Sequence, residues 1–374
     1  TLENKMSDIN RINELVGEKE FEKAQELIEP ALKEEPDNKE LLKLAGLTFV
    51  NLDEWEKARI CFETVVKYSP EDASSWFYLA SCYDNLNDLI SAKNAYTTVI
   101  GLRENYIEAY KSLCVVLMKL NEPEEAINYA AKANEIEPDD YLFDFIVGTS
   151  YMKLKEFEKS IEPFLSALRK SPDNIGTYNS LGTAYIATGR SDEAIKTYQK
   201  VLELKPNDAM AYFNIGSSFQ IQQKHAEACE YLKKAVELDD EDEGFKVAYA
   251  MSLVKTGKFE EASNLYKSLL VQHPEKENYK YNLVTCYEAM GDLQTAIKML
   301  EGMVYVNQKF ILPAQKLASL YIKTNQLNKA KEILAFEVTK LIHGETEAIK
   351  SQEAARALFA LNTNTDNMPS TEIN

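Results

Sequence analysis

Residues 175–208 read IGTYNSLGTAYIATGRSDEAIKTYQKVLELKPND, and this stretch decides the fold. Its apolar and small residues fall at helical spacing in two runs: Tyr178, Leu181, Gly182 and Tyr185, then Ala194, Tyr198 and Val201. Gly189 lies between the runs, where glycine readily ends a helix. Pro206 stops the second run because proline lacks a backbone N–H. The stretch therefore predicts two helices joined by a tight turn, and the small residues Gly182 and Ala194 are expected to let these helices approach closely.

The same pattern returns every 34 residues along most of the chain. Stepping by 34 from Ala24 gives small residues throughout: Ala58, Ala92, Ala126, Ser160, Ala194, Ala228, Ala262, Ala296 and Ala330. The same step from Leu15 gives only large apolar residues: Phe49, Tyr83, Leu117, Tyr151, Tyr185, Phe219, Leu253, Tyr287 and Tyr321. A third register, from Pro36, gives Pro70, Glu104, Pro138, Pro172, Pro206, Asp240, Pro274 and Gln308. Three registers in phase predict ten copies of one helix pair.

The copies match a known repeat pattern. One carries Leu42, Ala45, Gly46, Phe49, Ala58, Phe62 and Pro70, and the next carries Trp76, Leu79, Ala80, Tyr83, Ala92 and Tyr96. This pattern resembles the tetratricopeptide repeat, W-x-x-L-G-x-x-Y followed by A-x-x-x-F and P. The resemblance implies an all-α fold, a right-handed α-solenoid superhelix of ten antiparallel helix pairs. It leaves function open, because repeats of this family serve many partners.

The period also sets the expected organisation, with a tetratricopeptide repeat solenoid over residues 1–344. Repeats 1 to 10 are predicted at 5–38, 39–72, 73–106, 107–140, 141–174, 175–208, 209–242, 243–276, 277–310 and 311–344; positions below are counted within each repeat. Residues 345–361 carry Ile349, Ala354, Leu358 and Leu361 on one side, which predicts a helix that caps the last repeat. Residues 362–374 are polar and are expected to form a disordered tail.

Composition excludes several classes of protein. The 42 Lys and Arg against 60 Asp and Glu among 374 residues give a net charge of −18, which disfavours nucleic acid as a partner. No apolar run approaches the roughly 18 residues needed to cross a bilayer, so direct membrane insertion is not expected. The five cysteines are far apart and form no C-x-x-C. They favour a reducing compartment such as the cytoplasm, although the compartment itself stays open.

The residues that usually carry catalysis are scarce. The three histidines, His225, His273 and His343, are widely separated and match turn or helix-end positions. The sequence contains no H-E-x-x-H, P-loop or G-x-S-x-G motif. We therefore expect a protein that is not an enzyme and that uses no cofactor and no metal ion.

The family resemblance implies that the first helix of each repeat lines a concave groove, through positions 2, 5, 6, 9, 12 and 13. The peptide-binding residues selected from these positions and their neighbours are Phe77, Tyr78, Lys111, Phe145, Lys153, Asn179, Phe213, Asn214, Tyr281 and Asn282. Aromatic rings supply apolar contacts, amides can bind a peptide backbone, and lysines can meet an acid. Met118, Met152, Met210 and Met251 face the same way on this assignment. Alternatively, some of these side chains only pack against the next repeat.

These observations favour a non-catalytic scaffold or adaptor that binds a protein or peptide segment in the groove. The carboxylate clamp that binds chaperone tails is not expected, since Lys43 is followed by Leu47 and then Tyr78 at the positions it requires. One alternative is the repeat region of a larger enzyme, secretion factor or assembly factor. Another is a structural subunit that associates through its ends, and the oligomeric state stays open.

Overall fold

The computed structural model describes the backbone of residues 2–306 and 311–361, and the side chains of residues 8–304 and 312–353. The described residues form twenty-one helices and contain no strand, so the predicted all-α fold is confirmed. Consecutive helices pack against each other as ten pairs followed by one further helix. The predicted tail 362–374 lies outside the described residues.

The chain divides into two compact units, an N-terminal unit Thr1–Pro206 and a C-terminal unit Asn207–Asn374. The N-terminal unit holds α1 Leu2–Gly17, α2 Phe21–Glu34, α3 Lys39–Asn51, α4 Trp55–Tyr68, α5 Ala73–Asn85, α6 Leu89–Leu102, α7 Ile107–Lys119, α8 Pro123–Ile136, α9 Tyr141–Lys153, α10 Phe157–Lys170, α11 Ile175–Ala187 and α12 Ser191–Leu204. The C-terminal unit holds α13 Ala209–Ile221, α14 His225–Leu238, α15 Glu243–Lys255, α16 Phe259–Gln272, α17 Glu277–Ala289, α18 Leu293–Val306, α19 Ile311–Lys323, α20 Leu327–His343 and α21 Glu345–Leu361.

The turn between the two helices of each pair has a backbone conformation that recurs every 34 residues. Every pair has one residue with positive φ at position 15: Lys19, Asp53, Asn87, Asn121, Lys155, Gly189, Gln223, Gly257, Gly291 and Asn325. The backbone N–H of the residue after it donates a hydrogen bond to the carbonyl five residues earlier. In the sixth repeat, the N–H of Arg190 donates to the carbonyl of Tyr185 at 2.8 Å. This left-handed turn closes the first helix, and only three of the ten copies use glycine for it.

Six of the first helices, α3, α5, α9, α11, α13 and α15, begin at a side-chain cap. Asn174 accepts the N–H of Thr177 at 2.8 Å, and Asp242 accepts the N–H of Phe245 at 2.8 Å. Such caps satisfy N–H groups that have no partner inside the helix. They explain why Asn or Asp closes so many repeats.

Glycine at position 8 allows the two helices of a pair to approach closely. A Cβ atom added to Gly182 would lie 2.5 Å from the ring of Tyr198. The same crowding exists between Gly148 and Phe164, at 2.6 Å. The predicted close approach at Gly182 is therefore correct, and the large ring at position 24 fills the space that the missing side chain leaves.

The cysteines belong to the packed interior. All five are buried and free of disulfides. Burial raises the pKa of Cys61 to about 11 and that of Cys114 to about 12, so both thiols stay protonated at neutral pH. No helix among the described residues has the length and apolar character needed to span a membrane.

Helix α20 differs from the other second helices. It has 17 residues instead of 14 and ends at Gly344, whose φ is 87°. Helix α21 packs on it through the fully buried Ala348, and Gln352 donates a hydrogen bond to Glu332 at 3.3 Å. The predicted helix at 345–361 is present as α21.

Candidate functional site

The ten predicted site residues all lie on first helices, and they divide between the two units. Those in the N-terminal unit are Phe77, Tyr78, Lys111, Phe145, Lys153 and Asn179, on α5, α7, α9 and α11. Those in the C-terminal unit are Phe213, Asn214, Tyr281 and Asn282, on α13 and α17. Each group is therefore described within its own unit.

Phe77 and Tyr78 belong to an aromatic cluster in the N-terminal unit. The Phe77 ring stacks on Tyr106 with ring centroids 5.2 Å apart and meets the edge of Tyr96 at 5.7 Å. Tyr78 stacks on Phe62 at 5.4 Å. Both side chains are half-buried, so much of each ring already packs within the protein.

The two predicted lysines bind partners within the N-terminal unit. Lys111 Nζ lies 2.9 Å from a carboxylate oxygen of Asp140, which also caps α9. The hydrogen bond that Lys111 donates to Asp140 raises the pKa of Lys111. Lys153 Nζ donates to the backbone carbonyl of Met118 at 2.6 Å. These lysines join α7 to α9, which is a structural role that the sequence reasoning did not anticipate.

Phe145 and Asn179 are half-buried on α9 and α11. The Phe145 ring lies 5.9 Å from that of Phe164 in the same repeat. The side-chain oxygen of Asn179 is buried and accepts no hydrogen bond from any described residue. Its amide group therefore has an acceptor that a ligand N–H could use.

In the C-terminal unit, α13 presents one continuous stripe. Met210, Asn214, Ser217 and Ile221 are spaced by four, three and four residues, which places them on one side of the helix. Met210 is 49% exposed and Ile221 is 55% exposed. Phe213 flanks this stripe and packs against Phe245 of α15 at 5.0 Å.

Helix α15 continues the surface beside α13. Met251 is 52% exposed there, one turn before the exposed Lys255. Gln220 of α13 fixes the two helices together, because its amide donates to the carbonyl of Ala248 at 2.8 Å and to Ser252 Oγ at 2.7 Å. The exposed methionines thus project from a rigid pair of helices.

Tyr281 and Asn282 of α17 make contacts inside the C-terminal unit. The Tyr281 ring lies 5.7 Å from the ammonium group of Lys316. Asn282 hydrogen-bonds the hydroxyl of Tyr266, whose pKa rises to about 12 because burial outweighs that bond. Asn282 therefore supports packing, whereas Asn214 is half-buried between the exposed Met210 and Ile221.

Ion pairs neutralise most of the lysines at the positions that were predicted to line a groove. Lys43 pairs with Asp72, and Lys119 pairs with Asp84 at 2.6 Å. In the C-terminal unit, Glu288 binds both Lys316 and Lys323, and those hydrogen bonds lower its pKa. The predicted groove positions of α13 and α15 carry no acidic residue and only one lysine, Lys255. This surface is close to neutral within a strongly acidic chain.

We name Met210, Phe213, Asn214, Ile221 and Met251 the α13–α15 surface. The sequence selected Phe213 and Asn214 as site residues and noted both methionines, but Ile221 was not singled out. It occupies position 13, which the family pattern already assigns to the groove. The sequence does not reveal that the Ile221 side chain is exposed. Only the structure shows which apolar side chains at the predicted groove positions remain in contact with water. Among the described residues, no group of three or more His, Cys, Asp or Glu could hold a metal ion.

Family models described as tetratricopeptide repeats match most of the chain. They match residues 15–82, 73–106, 115–175 and 221–281, and a model described as TPR repeat matches 182–223.

Curated relatives match shorter segments. Tyrosine–tRNA ligase 1 of Clostridium acetobutylicum is 54% identical over 130 residues, which is 34% of this chain and 30% of the ligase. The tyrosine–tRNA ligase of Acetivibrio thermocellus is 48% identical over 77 residues, or 21% of this chain and 18% of the ligase. The chain thus spans less than a third of the length of these relatives.

Solved structures resemble longer parts of the chain. MamA protein is 24% identical and covers 46% of this chain and 93% of its own, with a TM-score of 0.44. YrrB, a TPR protein with an unusual peptide-binding site, is 21% identical. The match covers 50% of this chain and 96% of YrrB, with a TM-score of 0.44. A tetratricopeptide repeat protein from Parabacteroides merdae is 18% identical. The match covers 67% of this chain and 99% of that protein, with a TM-score of 0.48.

Proposed function

Because the chain belongs to the tetratricopeptide repeat family, we propose that it is a non-catalytic scaffold that binds a segment of a partner protein. The binding site in this proposal is the α13–α15 surface. One observation carries the proposal: Met210, Ile221 and Met251 each leave about half of their surface in water on adjacent first helices.

Apolar burial supplies the affinity in this proposal. Full burial of one large aliphatic side chain is worth about 1.5–3 kcal/mol, so completing the burial of three half-exposed ones is worth a few kcal/mol. Methionine adapts its shape to different apolar partners because it is unbranched and polarizable. The expected ligand is an extended or helical segment with apolar anchor residues.

Asn214 gives the site a polar group between its apolar side chains. It lies one turn after Met210 on the same stripe of α13. Its amide can donate to and accept from a peptide backbone whatever the peptide sequence. Phe213 is a weaker candidate for an anchor, because its ring already packs on Phe245.

The neutral character of the surface determines how salt should act on binding. Apolar burial is not screened by ions, whereas exposed ion pairs are. Binding at the α13–α15 surface should therefore persist in raised salt. A basic ligand held by the acidic outer surface should instead be released.

The test uses a peptide selected on the purified chain from a random display library, with affinity measured by calorimetry. The variant Met210→Glu with Met251→Glu should weaken binding at least tenfold, about 1.4 kcal/mol, as loss of a hot spot does. The matched control is Val271→Glu, because Val271 is 84% exposed on α16 of the same unit and away from the site. Unchanged affinity in the double variant, together with loss of binding in raised salt, would contradict the proposal.

A second candidate follows from the partial matches to tyrosine–tRNA ligases. In it, the repeats are one region of a larger enzyme, and the chemistry lies elsewhere in that protein. Tyrosine-dependent exchange of pyrophosphate into ATP measures the first step of such a ligase directly. Because this candidate places the chemistry outside the repeats, the assay is made on a longer protein that contains them. Exchange by that protein would favour the enzyme, and its absence would favour the scaffold.

A further inference from the structure

Helix α20 carries a row of exposed aliphatic side chains, here named the α20 stripe. It comprises Leu327 (50% exposed), Leu334 (43%), Val338 (54%), Leu341 (80%) and Ile342 (64%). Leu327, Leu334 and Val338 are spaced by seven and four residues, and Leu341 and Ile342 follow Val338 by three and four, which places these side chains on one side of the helix. A contiguous apolar patch of this kind marks an interaction surface in a soluble protein.

The other repeats show how unusual the stripe is. Leu334 occupies position 24, and the residue at that position is at most 3% exposed in the nine preceding repeats: Ile28, Phe62, Tyr96, Ala130, Phe164, Tyr198, Leu232, Tyr266 and Leu300. Leu341 and Ile342 occupy positions 31 and 32, which hold only polar residues or proline elsewhere. The tenth repeat therefore replaces a polar turn with one more helical turn that places two aliphatic side chains in water.

Helix α21 leaves this stripe uncovered. It contacts the side of α20 that carries Glu332, where Gln352 donates its hydrogen bond. Ala348 of α21 and Phe336 of α20 line a cavity of about 530 Å³ on that side. The stripe lies on a different side of α20, so the helix predicted to cap the solenoid does not bury it.

Two segments of this sequence can be compared with the stripe as possible covers. Residues 362–374, which follow α21, include only Met368 and Ile373 as large apolar residues. On α1, at the opposite end of the sequence, Ile12 and Leu15 are already buried. Residues 362–374 thus have no aliphatic row to match the stripe, whereas a second copy of α20 does.

We propose that the α20 stripe is the interface of a two-fold symmetric dimer, in which α20 packs antiparallel against α20 of a second copy. With the axis at Val338, Leu334 lies opposite the partner's Ile342. Two-fold symmetry repeats this contact on the other side of the axis. This proposal is independent of the function assigned to the α13–α15 surface.

Net charge favours association at this end of the chain. Residues 327–353 contain four lysines and five glutamates, a net charge of −1, whereas the whole chain carries −18. Two copies that meet through α20 therefore avoid most of the repulsion between their acidic surfaces. Five aliphatic side chains from each copy make a modest interface, which predicts a reversible dimer.

Sedimentation analysis of the full chain at about 0.1 mM, where a modest interface is populated, provides the first test. The wild-type chain should sediment as a dimer, and Val338→Glu with Leu341→Glu should halve the mass while helix content by circular dichroism is unchanged. Ile90→Glu is the control, because Ile90 is 66% exposed on α6, away from the stripe. A monomeric wild-type chain, or a double variant that remains dimeric, would overturn the proposal.

Disulfide trapping tests the axis itself. In the Val338→Cys variant the two introduced thiols meet across the axis, so mild oxidation should give a covalent dimer. The five native cysteines are buried and should stay out of the reaction. The Ile90→Cys variant should remain monomeric under the same oxidation. Equal cross-linking of both variants would reject the assigned register.

Discussion

The same amino acid at the same position behaves differently in an inner repeat and in the last one. Leu232 and Leu334 both occupy position 24, but Leu232 is fully buried and Leu334 is 43% exposed. The repeat pattern thus specifies which residue types recur, while the neighbouring residues decide which of them enter the core.

One neighbour explains the difference. Position 27 is apolar and buried in the inner repeats, as at Val201 and Leu269, but the tenth repeat has Glu337 there. Burying an unpaired carboxylate is costly, so α20 cannot use that face as the other second helices do. It buries Ala330, as the other repeats bury their position 20, and Phe336, while the side chain of Leu334 stays partly exposed to water.

Truncation of these two leucines tests the comparison with the largest expected effect. Leu232→Ala should lower the free energy of unfolding by about 2–5 kcal/mol, because it opens a cavity in the core. Leu334→Ala should cost about 1 kcal/mol or less in dilute solution, since much of its surface is already hydrated. Urea unfolding followed by circular dichroism measures both. Equal losses would mean that the tenth repeat packs like the others.

Glycine substitutions sharpen the comparison between packed and open helix faces. Gly182→Ala should destabilise the protein by about 1–3 kcal/mol, because the added Cβ meets the Tyr198 ring at 2.5 Å. Gly302 on α18 has no atom within 4 Å of such a Cβ. Gly302→Ala should therefore stabilise the protein by up to about 1 kcal/mol through higher helix propensity. Thermal unfolding measures both changes in stability. The midpoint should fall for Gly182→Ala and rise for Gly302→Ala, and a shift of the same sign in both variants would contradict the comparison.

A smaller change in stability is expected when the ion pair between Lys111 and Asp140, which joins two inner repeats, is removed. Burial alone would raise the pKa of Asp140, but hydrogen bonds from Lys111 and from the N–H of Leu142 outweigh it and hold the pKa below the ordinary 3.8. The stabilisation is therefore complete above about pH 4 and is lost as the pH falls through the folded pKa.

Asp140→Asn keeps the helix cap and removes the charge, so it should cost about 1 kcal/mol or less at pH 7. The difference from wild type should shrink in acid. Asp242→Asn, at another cap, is the control. A cost that does not change with pH would show that the ion pair is not its cause.

Much of the fold could be predicted from the sequence, because helix, turn and packing signals repeat ten times. Gly189 and the small residue Gly182 marked the turn and the close approach correctly. The site was harder to predict. Position alone could not show that Asn282 bonds Tyr266, that Lys111 bonds Asp140, or that Ile221 stays exposed, because each depends on contacts between neighbouring repeats.

Photo-cross-linking tests the central claim most directly. A photoreactive benzoyl-phenylalanine replaces Met251 in one preparation and Val271 in another, and each is irradiated with the peptide selected on the wild-type chain. The account predicts a cross-linked product from the Met251 replacement and none from the Val271 replacement. A product from the Val271 replacement alone would place the ligand on the second helices and contradict the assignment of the α13–α15 surface.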